Sequence, residues 1–414
     1  GVTLEKVDDK TVAFHLKRAY APFIYNLATG ILPRHIWKNV SNEEFPFSQY
    51  NTLPVGSGPY KITKVEQNQG GIPDYYELSP FKDGMEREAY VRKLLFRFYT
   101  SEVSLIDAYN QGEVQSLGGI SPESMKDLKT NDANVIHSPL PRIFAVFFNE
   151  SHSKVLLNKE VRQALDLVSP KEEIVDEVLD GFGTPIDGPL PAGLYHSDTQ
   201  SVATSSKEVR LAEAKKLLTD AGWTANPETG ILEKKSKSDT ISLSFSISTG
   251  DAPELRAVAD KLREAWGQLG AKIDVLVFET GDLNQNVIRP RQFDALLFGE
   301  VVSRGDVYPF WHSSQRNDPG LNISLYANPK VDKALEELRS TTDQEVINKD
   351  YEVLNSEIRK DIPAVFLYTP SFVYVVPKSV KDLTLGPLAV PQDRFLGIRD
   401  WYIETDKVWG IFLN

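Results

Sequence analysis

An apolar run, Phe293-Asp294-Ala295-Leu296-Leu297-Phe298-Gly299, ends at Glu300 and Val301, and Ser303, Arg304 and Asp306 follow within a few positions. Tyr308 and Trp311 come close behind. Carboxylates, a guanidinium and flat aromatic rings at the end of a buried strand are the parts of a site that holds a polar molecule by charge, hydrogen bonds and stacking. The carboxyl end of a strand in an α/β sheet is where such sites collect. The same residues also fit an ordinary strand–loop–helix connection in which Asp306 only caps a helix. Residue types alone weigh the two readings evenly. Arg289, just ahead of the run, is placed to meet a ligand carboxylate with a bidentate pair. Arg291 reads as a solvated surface arginine.

Other chemistries find less support. The six histidines are His15, His35, His137, His152, His196 and His312. None lies three or four residues from another, so no histidine metal site is expected. The chain has no cysteine, which removes disulfides, zinc-thiolate sites, iron–sulfur clusters and cysteine nucleophiles together. Gly56-Ser57-Gly58-Pro59 lacks the Gly-Lys-Ser/Thr ending of a phosphate loop and reads as a tight turn feeding a strand. There is no GxSxG elbow. Adjacent acidic pairs such as Glu172-Glu173 are common, but 58 acidic residues in 414 produce them by chance. A glycosidase built on two cleft carboxylates, Glu300 and Asp306 among them, stays open as an alternative. The net charge of −12 makes nucleic acid a poor partner. No apolar run approaches the roughly 18 residues that cross a bilayer. With 41% hydrophobic and 25% charged residues, the chain is globular and long enough for two or three domains.

The elements that must position these residues follow from periodicity. Residues 11–16 alternate as a strand, and Pro22 opens a short apolar helix. Residues 60–62 and 75–78 form a meander around Gly70-Gly71. Residues 91–99 form a strand. Residues 102–111 form a helix with Val103, Ile106 and Ala108 inward. Residues 143–148 are apolar on both faces and predict a central strand. Ser169-Pro170-Lys171-Glu172 reads as a capping box. Ile241, Leu243, Phe245 and Ile247 alternate as one strand. Leu255, Val258, Leu262, Ala265 and Leu269 mark a helix, and Ile273, Val275 and Val277 the next strand. That strand–helix–strand unit implies a parallel pair with a right-handed crossover. Helices are predicted over 329–339 and 343–360, and strands over 364–368, 372–376 and 394–398. The last stretch is too short for a domain, so it pairs with the 59–150 sheet. The chain then crosses between two lobes near 143–149 and near 365–370, and a cleft lies between them. Phe147, Asn149 and Tyr368 sit on those crossings. They line the cleft if they are hinge residues, and only pack if they are core.

Several of these stretches resemble one family. Gly56-Ser57-Gly58-Pro59-Tyr60-Lys61-Ile62 resembles a Gly-Thr-Gly-Pro-Tyr turn and strand. Ala108-Tyr109-Asn110-Gln111-Gly112-Glu113-Val114 resembles an "ALxxGEID" segment. Phe148-Asn149, with Val161-Arg162-Gln163-Ala164-Leu165 after it, is similar to an "fN…VRqAl" segment. Gly181, Pro185 and Gly188-Pro189 match a "G.a.P..gP" loop. Residues 214–223, from Ala214 to Trp223, match "AkkLLxeAGw". Phe293-Asp294, Asp306 and Trp311-His312-Ser313-Ser314 resemble an "FD…gw…DP….wxSs" stretch. Six matches in one order over most of the chain resemble the extracellular solute-binding proteins of peptide- and nickel-type ABC importers.

The resemblance implies an α/β, two-lobe periplasmic-binding-protein-like fold of type II, in the peptide-binding cluster. It has a hinge and a central cleft. The chain starts late against the family pattern, so the expectation is a missing N-terminal segment and an incomplete first lobe. Residues 1–33 read as the remnant of a small extra domain, 34–145 with 367–414 as lobe one, and 146–366 as lobe two. The implied function is capture of an oligopeptide or similar small polar solute for delivery to ABC importer permease subunits. No catalysis, cofactor or metal is implied. The expected place is outside the cytoplasm, in the periplasm or at the cell surface, and the expected state a monomer. A sensor or chaperone on the same fold is the other alternative. The implied ligand-binding set is Arg289, Gly299, Glu300, Val301, Ser303, Arg304, Asp306, Trp311, Phe147, Asn149 and Tyr368. The sequence departs from the family pattern at three places. Ser303, followed by Arg304, stands where peptide binders carry an aspartate for the peptide's amino group. Glu300 stands at the family's tryptophan position, and Asp306-Val307 replaces Asp-Pro. Glu300 then supplies the missing carboxylate, or Arg304 turns the preference toward anions.

Overall fold

The structure is a computed structural model and describes residues 1–81, 87–192, 205–235, 239–302, 305–386 and 388–404. The chain divides into two compact units. One joins Gly1–Asn26 to Pro139–Ser371, and the other joins Leu27–Ser138 to Phe372–Asn414.

The larger unit is built on a mixed sheet. Its main strands and helices are β1 (Arg142–Phe148), β2 (Ser244–Gly250), α1 (Pro253–Gly267), β3 (Lys272–Phe278), β4 (Ala295–Val301), α2 (Pro329–Ser340), α3 (Gln344–Asp361) and β5 (Ala364–Pro377). The strand order is β3-β2-β4-β1-β5. β2 is parallel to β3 and to β4, and β1 is antiparallel to both β4 and β5. The expected parallel pair around α1 and the expected central strand at 143–148 are therefore both present. β1 is apolar on both faces because helices cover both. Val146 and Phe148 join a core with Val161, Leu165, Val258, Leu262 and Trp266. Ile143, Ala145 and Phe147 join a second core with Trp311, Leu335, Leu354 and Ile358. α1 starts with Pro253 in its first turn and buries Val258, Ala259, Leu262, Ala265 and Trp266. The Trp266 indole donates to Leu165 O (3.0 Å) and Ser169 Oγ (3.1 Å), which ties α1 to the end of the helix Lys159–Val168.

Two local expectations are corrected here. Ser169 is not a helix cap, because its hydroxyl donates back to Leu165 O (2.7 Å). The following helix, Lys171–Glu177, starts after Pro170 with no side-chain cap. The alternation from Ile241 to Ile247 is split between two strands. Thr240–Ser242 joins a small antiparallel sheet with Trp223–Ala225 and Leu232–Lys235, and β2 starts at Ser244. Alternation cannot register that break, since both strands keep the same period. Near the start, Val12–Leu16 pairs with Val2–Lys6 as a hairpin, and Ala21–Ala28 is a 3-10 helix.

The smaller unit holds an antiparallel sheet of Tyr60–Gln67, Pro73–Pro80 and Leu94–Arg97, the helix Glu102–Asn110, and the pairing of Leu117 and Gly118 with Val375 and Tyr374. Gly71 takes φ 76° in the hairpin turn, as the Gly-Gly pair predicts. Val103 is exposed rather than inward, while Ile106 and Ala108 are buried. The strand expected over 394–398 is absent. Pro391–Phe395 is a 3-10 turn held by the Asp393 carboxylate, which accepts from the amides of Ala389 (2.8 Å) and Val390 (3.0 Å). Phe372, Tyr374, Phe395 and Trp401 pack as an aromatic cluster in this unit, with the Arg394 guanidinium 4.2 Å from the Phe395 ring centre.

Candidate functional site

The parallel strands β2, β3 and β4 end together in the larger unit. A cavity of about 120 Å³ lies at their carboxyl ends, lined by Gly250, Asp251, Thr280, Asn284, Ile288 and Phe298 among others. β2 and β3 are joined through α1, whose first turn follows directly on Asp251 and Ala252. This is the place where an open α/β sheet collects a ligand.

β4 carries two of the expected residues on opposite faces. Gly299 pairs in register with Phe144, and Glu300 with Ile143. A Cβ at position 299 would come within 2.7 Å of the Phe144 ring, so glycine is required by that close approach. Phe144 stacks on Tyr368 at 4.9 Å and 14°. The Tyr368 hydroxyl donates to Glu254 Oε1 (2.6 Å) in the first turn of α1. Sequence reasoning missed Phe144 and Glu254. Phe144 was hidden inside a run that reads as plain core. Glu254 reads only as the acidic residue of a helix start.

Glu300 lies on the other face, between Phe298 and Val302 along the strand, and only 4% of it is exposed. Among the described residues, neither carboxyl oxygen has a hydrogen-bond partner. Burial pushes its pKa well above the usual carboxyl value of 4.5. Other buried charges in this unit are compensated. Burial pulls the Lys171 ammonium down, but Asp166 (3.0 Å) and Asp187 (2.7 Å) together outweigh it and hold the group charged. Glu300 has no such help. A carboxyl whose pKa rises on folding stabilises the fold fully below about pH 4.5 and loses that contribution as pH climbs toward the folded pKa. The expected outcome is that stability falls above pH 4.5, at up to about 1.4 kcal/mol per pH unit, and that Glu300→Gln flattens this part of the curve. Urea unfolding of both proteins from pH 4 to 8 checks it; parallel curves would remove Glu300 as the cause.

The remaining expected residues are placed as follows. Val301 ends β4 and is exposed. Ser303 and Arg304 lie outside the described residues. Asp306 caps the turn at Tyr308 N (3.2 Å) and pairs with Arg339 of α2 (2.6 Å), whose guanidinium lies 3.7 Å from the Tyr308 ring centre. The capping reading of Asp306 therefore describes its contacts. Phe147 and Trp311 are fully buried and pack near each other at 6.2 Å, with Phe366 and Tyr326 also against Trp311. Both take core positions in the larger unit. Asn149 is also buried. Its side chain donates to Arg291 O (2.8 Å) and accepts from Ser151 N (3.1 Å), which fixes the turn after β1. Arg289 stays exposed, with Asp318 at 4.0 Å. Arg291, expected on the surface, is half-buried and donates to Ile288 O (2.6 Å) and Gly320 O (2.8 Å). Among the described residues no group of histidines and acids has metal-binding geometry.

A family model described as "Bacterial extracellular solute-binding proteins, family 5 Middle" matches residues 1–321. The chain belongs to this family. The oligopeptide-binding protein AppA of Bacillus subtilis is 27% identical over 391 residues, which take in 93% of this chain and 70% of that relative. Its structure in complex with a nonapeptide matches with a TM-score of 0.66 at 26% identity, covering 97% of this chain and 78% of that one. The ABC transporter substrate-binding protein CtaP of Listeria monocytogenes matches in fold with a TM-score of 0.75 at 24% identity, over 97% of this chain and 78% of that one. The fold is thus the two-lobe α/β fold of periplasmic binding proteins, and the protein is a solute-binding component of the ABC-importer class. The family is one of binding proteins that work outside the cytoplasm. The glycosidase alternative gains no support. Among the described residues, no helix is long and apolar enough to cross a membrane.

Proposed function

We propose that this protein captures a short peptide, or a similar small polar solute, and passes it unchanged to the membrane subunits of an ABC importer. The observation that carries this reading is the family match over residues 1–321, joined to a relative that is an oligopeptide-binding protein. The proposed contact region is the carboxyl edge of β2, β3 and β4. There the end of β4 offers backbone groups at Gly299 and Val301 and the carboxyl of Glu300. The cavity beside Phe298 receives part of the ligand. Tyr368 and Phe144 support the edge from the opposite face. The two compact units serve as the two lobes, with boundaries at 138/139 and 371/372 and with Gly1–Asn26 on the side of the larger one. The protein works as a monomer.

The test is incubation with synthetic peptides of two to nine residues, removal of free peptide, and mass spectrometry of what the protein retains. The expected result is retention of at least one peptide with its mass unchanged. Retention of none, or recovery of cleaved products, would overturn the reading.

A further inference from the structure

A second cavity of the larger unit lies away from the carboxyl ends of the parallel strands. It measures about 400 Å³ and is bounded by the end of α3, the first residues of β5, Asp166 in the last turn of the helix Lys159–Val168, and Asp187 in the loop after the short strand Gly183–Pro185. Ala364 on its wall pairs in register with Phe147 near the end of β1, and Phe148 pairs with Ala295, the first residue of β4. The cavity therefore adjoins the end of the sheet where β4 begins, and Gly299–Val301 stand at the other end.

The walls carry both signs of charge. The buried Lys171 ammonium holds Asp166 Oδ1 (3.0 Å) and Asp187 Oδ1 (2.7 Å), so each carboxylate keeps Oδ2 for another donor. Arg359 Nη2 stands 4.0 Å from Asp187 Oδ2, too far for a hydrogen bond. Among the described residues, Arg359 has no closer ionic partner, and Lys360 beside it makes no ion pair. Cations in the last turn of a helix suit its dipole, which accounts for their presence but not for a cavity that holds them off the carboxylates. Gly188 passes so close to Asn355 of α3 that a Cβ there would strike the amide oxygen, which fixes Asp187 at the rim. The backbone adds donors and acceptors. Phe148 N donates to Pro363 O (2.9 Å), so the alternation of an antiparallel ladder turns the amides and carbonyls of Ala364 and Phe366 to the outer edge of β5. Gly183–Pro185 pairs with that edge only at Tyr368–Pro370, and Ala364 and Phe366 line the cavity together with Ile362.

We infer that this cavity is a second binding site, for a free α-amino acid with an apolar side chain. Such a molecule carries its ammonium and carboxylate on one carbon, so two opposite charges lie side by side. Asp187 and Arg359, held a little apart, offer the complementary pair. The ammonium donates to Oδ2 of Asp187 and of Asp166, and the carboxylate accepts from the Arg359 fork with Lys360 beside it. The side chain lies against Ile362, Ala364 and Phe366. A peptide sets its two termini at least one peptide unit further apart and fits this spacing less well. A molecule with only one of the two charges leaves the other wall charge desolvated without a partner. The site does not depend on the identity of the solute proposed above.

The experiment titrates L-leucine into the full chain by calorimetry, beside N-acetyl-leucine, which lacks the ammonium, and leucine methyl ester, which lacks the carboxylate. Leucine should bind with a Kd of about 1 mM or tighter, and each analogue about tenfold or more weaker. Arg359→Gln should weaken leucine by about tenfold and bring leucine and its methyl ester within about threefold of each other. Arg359 is half-buried and holds no partner within hydrogen-bond distance, so the variant should melt with the parent, which thermal unfolding verifies. The analogue series on the parent tests the charge pattern without any variant. Retention of peptides should be the same in parent and variant, which separates this cavity from the carboxyl ends of the strands. No binding of leucine at about 10 mM, equal binding of the three compounds, or unchanged affinity in Arg359→Gln would overturn the inference. So would competition in which a retained peptide displaces the leucine.

Discussion

Replacing Trp311 by alanine is expected to cost about 3–5 kcal/mol of stability and to leave solute selectivity unchanged. Trp311 is only 1% exposed. Its ring packs with Phe147 of β1, Phe366 of β5 and Tyr326, so its removal empties the centre of the core between the sheet and the α2–α3 pair. The surrounding side chains belong to three different elements and cannot all collapse into one hole. Urea unfolding followed by circular dichroism measures the loss. A tryptophan that stacked on ligand would behave differently. Its alanine variant would keep the parent's unfolding midpoint and lose affinity, and that pair of results would return Trp311 to the binding surface.

Arg162→Met is the second large effect, again about 3–5 kcal/mol. The side chain is 7% exposed and sits in a socket of carbonyls. Nε donates to Ile362 O (2.9 Å), Nη1 to Leu156 O (2.6 Å) and Leu157 O (3.3 Å), and Nη2 to Asp361 O (3.0 Å). Glu150 stands 3.1 Å from Nη1. Burial draws the guanidinium's pKa down, and the charges of Glu150, Asp361 and Glu160 work against that pull. The arginine thus pins the helix Lys159–Val168 to the end of α3, where Ile362 turns into the left-handed region at φ 54°. Methionine keeps the packing and drops every donor, which leaves several buried carbonyls without partners. Arg162→Lys should recover less than half of the loss, because an ammonium cannot reproduce the planar fork. Full recovery by lysine in the same urea experiment would show that charge alone, not the fork, is what the socket needs.

Arg162 also shows how a motif and its cause come apart. The run Val161-Arg162-Gln163-Ala164-Leu165 was legible as a family signature. Nothing in the spacing says that the arginine points into the core. Two of its acceptors, the carbonyls of Asp361 and Ile362, lie about two hundred positions away in the chain and near it only after folding. The same holds for Gly299. The sequence marks a glycine at the end of an apolar strand. The structure puts the Phe144 ring against it. Asp306 went the same way, because Arg339, which neutralises it, comes from a helix 33 positions later.

Charge, the absence of cysteine, the central strand at 143–148 and the parallel unit around α1 were determined by the sequence alone. Each depends on composition or on a period within one segment, and local alternation survives whatever the segment later packs against. The order of motifs also carried the family. Only the tertiary structure decided which polar residues are satisfied. It turned Trp311, Phe147 and Asn149 inward and occupied Asp306 with Arg339. It also left the Glu300 carboxyl buried without a partner among the described residues. Pairing is a property of neighbours from distant segments, and a one-dimensional pattern does not contain them.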